Sequence, residues 1–455
     1  MERTKTIRDL LLIFIASSLI LLWNLGTGSL TSWDEAVYAQ VSREILTSNN
    51  WIDLTWAGEH WADKPPLYMW MTVLFYKIFG VNEFSARFFS ALCGIGTVII
   101  TYLFAKKLYS RRVAFVSALV LLSTRHFIWA AKMGMLDIAL TFFLTLSLFL
   151  FRLGEEKKIY LFFSLISFAF AFLTKGTGAL LIPLILLFYL FSAGKTKILK
   201  EPAFMLGVLA SLFILAWWHW LAIRHYGKEF VSGYFIRHLF VRTTQAIEGH
   251  AGSIFNYFKV LPNKGRPWGI FGFLVLPVVV WRVIKKKEKE HILPIVWSIC
   301  VFSVASLIRT KLHWYIISLY PSFSILIGWA ISKIFRKFTV IVTTMLVFSS
   351  LIYLSFGKKS VFNLDHCPET KKVASAVKQM LPKGEKVFLY EVGDPGIRFY
   401  FAEIGKSISG TLKLQELLKE KDRYIVFESN AFKVLAESDF LVVVRTPDLV
   451  IAKIK

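Results

Sequence analysis

Trp33-Asp34-Glu35-Ala36-Val37-Tyr38, followed by Asp63-Lys64-Pro65-Pro66-Leu67, gathers carboxylates, a lysine and aromatic residues just after the first long apolar run of the chain. Ionisable groups beside hydrocarbon are costly, so their retention points to a use. The composition of the chain places hydrocarbon nearby. The 455 residues are 56% hydrophobic, against about 45–50% in a soluble domain, and the mean hydropathy is +0.56. Apolar runs of bilayer length recur at 10–25, 86–105, 113–128, 135–151, 160–172, 178–191, 204–223, 267–283, 292–307, 316–331 and 340–356. They predict a polytopic α-helical membrane protein with about eleven to thirteen transmembrane helices.

The formal charge of +24 would suggest nucleic acid in a soluble protein. Its placement excludes that partner. Basic residues cluster at Lys106-Lys107 and Arg111-Arg112, Lys157-Lys158, Lys195 to Lys200, Lys285-Lys286-Lys287, and Lys333 to Lys337, in every second loop. By the positive-inside rule these loops, and the N-terminus with Arg3, Lys5 and Arg8, are cytoplasmic. The chain is then a multi-pass protein of the cytoplasmic (inner) membrane. Its alternate loops and C-terminal tail face outward. The first apolar run lacks a small-residue cleavage site and reads as a retained anchor. Cys93, Cys300 and Cys367 make no disulfide framework.

Residues 1–357 form the membrane body, with long outer loops at 26–85 and 224–263. Residues 358–455 differ. Strand-like runs at 387–390, 424–428, 440–444 and 449–454 alternate with helical patterns at 369–381 and 412–419, predicting a small α/β domain on the outer face. In the first loop, Val37, Val41 and Ile45 recur every four residues and predict an amphipathic helix over 33–46. Trp51, Trp56, Trp61, Tyr68 and Trp70 follow at a density suited to the headgroup level.

Five constellations can carry chemistry. Ser32-Trp33-Asp34-Glu35 fits a capping box, Ser32 as N-cap and Glu35 reaching back. Asp34 at that helix start could also face a cavity as general base or electrostatic anchor, with Glu35 and Tyr38 as substrate contacts. In Asp63-Lys64-Pro65-Pro66, two prolines stiffen the strut that carries Lys64. The ammonium there either snorkels or serves one specific phosphate. Between Arg125 and Asp137 lies a short outward turn. Asp137 opens the next helix and would seek a cation such as Arg125 or Lys132; it is also a candidate catalytic group that could receive a proton or a sugar hydroxyl, with Arg125 as a candidate substrate contact. The loop 234–250 carries His238, Arg242, Glu248 and His250, and Glu248-x-His250 with Asp63 could hold a divalent ion. Arg309 and Lys311 precede Tyr315 on the outer side, where an anionic headgroup or simple interface anchoring would use them. Thr174-Lys175-Gly176-Thr177-Gly178 is not a Walker sequence, which argues against nucleotide chemistry.

The order Trp-Asp-Glu-x-x-Tyr, Lys-Pro-Pro-Leu, Lys132-Met-Gly-Met-Leu-Asp137, Leu-Thr-Lys-Gly at 173–176 and Lys-Leu-x-Trp-Tyr at 311–315 resembles the polyprenyl-phosphate-sugar-dependent membrane glycosyltransferases. That family holds the aminoarabinose transferases of lipid A and the protein O-mannosyltransferases. The resemblance implies glycosyltransferase fold C. It implies transfer of a sugar from a polyprenyl-phosphate donor to a lipid A, protein or cell-envelope glycan acceptor. It assigns Asp34 as catalytic acid/base, Lys64 to the lipid-linked phosphate and Asp137 to the same cavity. Arg242, Arg309 or Lys311 would join Lys64 on the departing phosphate. Some relatives bind zinc at a glutamate where this chain has Asp63. No cofactor is required, and a divalent metal (zinc, magnesium or manganese) would sit at Asp63, Glu248 and His250. A single displacement with inversion is expected. The rival readings are a polyprenyl-lipid transporter or flippase and a non-catalytic scaffold.

Overall fold

The computed structural model describes residues 2–232, 234, 251–355, 363–381, 387–402, 405–408, 414, 416–419, 422–432 and 439–455. Helices dominate up to Ser355. The chain opens with α1 (Glu2–Leu22), α2 (Asp34–Ser48) and a short antiparallel hairpin of β1 (Thr55–Trp56) and β2 (Glu59–His60). There follow α3 (Leu67–Phe79), α4 (Glu83–Leu108), α5 (Arg111–Leu122), α6 (Arg125–Lys132), α7 (Leu136–Gly154), α8 (Ile159–Lys175), α9 (Leu181–Ala193) and α10 (Pro202–Tyr226). Among the described residues six segments are long and apolar enough to cross a membrane, or eight if each of two bent pairs is one span. The sequence expectation was higher. The runs at 160–172 and 178–191 belong to one 35-residue segment, Ile159–Ala193. The first run falls in α1, which carries Lys5, Arg8 and Asp9. Asp9 is buried there on Tyr102 Oη at 3.1 Å and Arg111 at 2.6 Å.

Local chemistry sets the helix ends. Asn82 and Ser85 form a reciprocal capping box at the start of α4, with Ser85 N donating to Asn82 Oδ1 at 3.0 Å. Pro202 opens α10, where its missing N–H costs nothing. Small residues bring helices close. Ser147 of α7 and Ser164 of α8 each donate to the other's carbonyl at 2.8 Å, a seam typical of helices in lipid.

The C-terminal region builds one five-stranded sheet in the order β4-β3-β5-β7-β6. These are β3 (Val387–Tyr390), β4 (Gly405–Ile408), β5 (Tyr424–Glu428), β6 (Phe440–Arg445) and β7 (Leu449–Ile454). β3 runs parallel to β4 and β5, and β7 runs antiparallel to β5 and β6. Buried Val387, Leu389, Val426 and Ile451 form one side of its core with the helix Pro368–Met380. β4 escaped the sequence reading because Gly405-Lys-Ser-Ile408 has no apolar alternation.

Candidate active site

The amphipathic period of the first loop is realised as α2, with Ala36, Val41 and Ile45 buried. Asp34 is its first residue, at the end where the helix dipole favours negative charge. The capping box is not formed. The residue before the helix is Trp33, which makes no side-chain cap, and the Ser32 hydroxyl binds Asp394 instead. Glu35 does reach back, accepting from Thr31 N at 2.8 Å. Expected as a substrate contact, it is not in the wall of the cavity described below. It is 1% exposed and pairs with Arg87 of α4, Nε to Oε1 at 2.7 Å. Burial works against its charge, but the Arg87 guanidinium and the amides of Thr31 and Gly134 hold the carboxyl below its ordinary value.

Arg87 also donates to the carbonyls of Leu25, Thr27 and Ser29, and to Leu364 at 3.3 Å. It ties α4, the first loop and the C-terminal region together. No sequence motif marked it. The available signal was a lone arginine opening the apolar run at 86–105.

Asp34 and Tyr38 face a cavity of about 660 Å³. The strut Asp63-Lys64-Pro65 forms a second wall. Tyr38 is held edge-on against Trp61 and Tyr68, ring centroids 6.3 and 6.0 Å away. Trp56 reaches the cavity from the β1–β2 hairpin. Its turn at Ala57 and Gly58 takes positive φ at both residues, and both amides donate to Glu44 of α2. Asp53 accepts from His60 at 2.8 Å and His225 at 3.1 Å, tying the hairpin to α10. Burial opposes the Asp53 charge, yet these imidazole partners keep its carboxyl below the ordinary range.

Asp137 lines the same cavity. Its cation is Lys175, at the C-terminal end of α8, and neither Arg125 nor Lys132. Lys132 is fully buried and donates to the carbonyls of Ile20 and Trp23, closing α1. The turn before Asp137 is pinned: Gly134 N donates to Glu35 Oε1 at 2.8 Å and Met135 N to Ser90 Oγ at 3.2 Å. Gly176, with φ +54°, ends α8 so that Lys175 turns toward the cavity. The Lys175 ammonium lies 5.3 Å from the Tyr315 ring centroid, and Tyr315 is in the wall. Sequence reasoning passed over Lys175 because it lies 38 residues from its partner.

Three expected contacts are elsewhere. Lys311 turns its ammonium onto the carbonyls of Ala305, Ser306 and Ile308, closing the helix Ile292–Leu307. Its partial burial lowers its pKa. Arg309 is exposed, and Arg125 sits at the start of α6; neither is in the cavity wall. His238, Arg242, Glu248 and His250 lie outside the described residues, so of the three expected metal ligands only Asp63 is described, in the cavity wall.

One wall thus carries Asp34 at a helix start, another Lys64 on a proline strut, and a third the Asp137–Lys175 pair. This arrangement can hold an anion against two ammonium groups while a carboxylate faces the space between them.

The sequence model of the dolichyl-phosphate-mannose-protein mannosyltransferase family matches residues 63–220. An uncharacterized protein of Aquifex aeolicus is 30% identical over 394 residues, covering 86% of this chain and 88% of its own length. The undecaprenyl phosphate-α-4-amino-4-deoxy-L-arabinose arabinosyl transferase of Wigglesworthia glossinidia brevipalpis is 28% identical over 72% of this chain, which spans 61% of that transferase. The crystal structure of ArnT from Cupriavidus metallidurans bound to undecaprenyl phosphate superposes with a TM-score of 0.83 at 19% identity, over 97% of each chain, and has the same fold. With its apolar spans and this cavity, the chain belongs to the polyprenyl-phosphate-sugar-dependent membrane glycosyltransferases.

Proposed function

We propose that this glycosyltransferase moves a sugar from a polyprenyl-phosphate carrier to a lipid A, protein or cell-envelope glycan acceptor at the outer face of the cytoplasmic membrane. The observation that carries the reading is the single cavity lined by Asp34, Lys64, Asp137 and Lys175. Its volume of about 660 Å³ falls within the usual range of ligand sites. The alternating basic loops support an outward-facing site with a cytoplasmic N-terminus.

In the proposed reaction the bond between the anomeric carbon and the phosphate oxygen breaks through an oxocarbenium-like state. The acceptor oxygen attacks from the opposite side, with inversion. Lys64 and Lys175 stabilise the phosphate as it leaves with the bonding electrons. With a hydroxyl acceptor, its proton passes to Asp34. With a phosphate acceptor no base is needed, and Asp34 orients the reactants. Asp137 holds Lys175 in place through their ion pair. No nucleotide takes part, and Asp63 is the described residue that would contribute to holding a divalent ion.

The test is release of free polyprenyl phosphate by purified protein given polyprenyl-phosphate sugars and membrane extract. The 4-amino-4-deoxy-L-arabinose donor named for the relative above is the first to try. Asp34→Asn is expected to lower turnover to hydroxyl acceptors by roughly 10²- to 10⁴-fold, and Lys64→Ala to lower it with every acceptor. Folded wild-type protein that releases nothing from any donor would refute the reading.

A further inference from the structure

Residues 23–33 join α1 to α2, and the C-terminal region meets them at Gly28, Ser29, Leu30 and Ser32. Gly28 has φ +78°, and a Cβ there would stand 2.6 Å from Asp365 N, so only glycine permits the approach. Ser29 donates from N and Oγ to Asp365 Oδ1 at 2.9 and 2.7 Å. Leu30 N donates to Tyr400 Oη at 2.7 Å. Ser32 Oγ donates to Asp394 Oδ2 at 2.5 Å. Trp33 comes next, with φ 94° and ψ −134°, a conformation that side chains other than glycine's avoid. Such backbone persists only where its surroundings hold it. Trp33 and Asp34 then both line the cavity.

Asp394 is itself firmly seated. Its Oδ1 accepts from Ile397 N at 2.9 Å, capping the helix Pro395–Phe401. Its own amide donates to Glu428 Oε1, at the end of β5, at 2.6 Å. Arg398 of the same helix lies over the ring of Trp56, 5.0 Å from its centroid, and Pro395 reaches the cavity wall. A continuous path therefore runs from β5 through Asp394 and Ser32 to Trp33 and Asp34.

We propose that Asp394, in the C-terminal domain, is a positioning residue for sugar transfer: through Ser32 it holds Trp33 in its strained conformation and so sets where Asp34 stands in the cavity. This rests on the proposed role of Asp34. The C-terminal domain is then a working part of the active site, and its docking on residues 28–33 is a condition for turnover.

The experiment uses the full-length protein with Asp394→Ala, Ser32→Ala, the double variant and Asp394→Asn. Lys371→Ala, which removes another contact of this region, the pair with Glu83 at 2.6 Å, is the control. Turnover and backbone hydrogen exchange are measured together. Asp394→Ala and Ser32→Ala are expected to lower kcat by about 10- to 100-fold, the effect of a small misplacement. Donor KM should stay within about twofold, since donor binding is untouched. The double variant should be no worse than the worse single one, because both act on one path. Asn keeps an oxygen for the cap and a polar group for Ser32, and should restore most of kcat. Amides of 30–36 should exchange faster in Asp394→Ala while those of β5 and β7 do not, and Lys371→Ala should change neither readout. Unchanged kcat, or unchanged exchange at 30–36, in folded Asp394→Ala would overturn the positioning role while wild-type transfer stands. Absence of transfer by the wild type would remove the reaction and this role with it.

Discussion

Asp34 and Glu35 are adjacent carboxylates with opposite duties. Consecutive helix residues point about 100° apart, so when Asp34 faces the cavity Glu35 turns into the protein and onto Arg87. Removing one partner of such a buried pair leaves the other charge uncompensated. Glu35→Ala is therefore expected to cost about 3–5 kcal/mol of stability, read as a lower unfolding midpoint in detergent; an unchanged midpoint would contradict the pairing. The pH dependence has a definite sign. The Glu35 carboxyl titrates below its ordinary 4.5 in the folded protein, so on acidification the unfolded chain takes up this proton first. The ionised group stabilises the fold fully above 4.5, and the contribution is lost as the pH falls through the depressed native value. A titration of stability should thus show Glu35→Gln losing less than wild type below 4.5. The sequence marked this Asp-Glu pair as important. Which of the two faced the cavity depended on the direction of a helix that Ser32 does not cap.

At the scale of elements, the site depends on one turn. The turn Met133-Gly134-Met135 brings a backbone amide onto Glu35, and a Cβ on Gly134 would stand 3.1 Å from Glu35 Cγ. Glu35 cannot yield, being fixed by Arg87. Gly134→Ala is expected to cost about 1–3 kcal/mol by overpacking and to displace Asp137, three residues on in the first turn of α7. Thermal unfolding and donor turnover should fall together; a variant with wild-type values in both would show the close approach to be slack. The helices themselves were legible, because apolar periodicity is a local property. Strands β3, β5, β6 and β7 were legible for the same reason. The ends of elements were less so. Lys311 looked like a phosphate ligand and is a helix cap, because carbonyls left open at the end of the preceding helix compete for the same ammonium.

For the whole molecule, the alternating basic loops make a topological prediction. A reporter active only outside the cytoplasm, fused after Lys455, should be active, and the same reporter placed at Lys286 should be silent; the reverse pattern would invert the proposed orientation. The chain's sequence by itself determined the membrane class, the strands of the C-terminal α/β segment and the family resemblance, and it singled out Asp34, Lys64 and Asp137. All of these are written in composition, local period and short motifs. The pairing of Asp137 with Lys175, the burial of Glu35 on Arg87 and the grip of Asp394 on Ser32 were decided by tertiary structure alone. Each joins residues between 38 and 362 positions apart in the chain. A charge in a one-dimensional sequence shows that a partner is needed, and packing in three dimensions chooses which one.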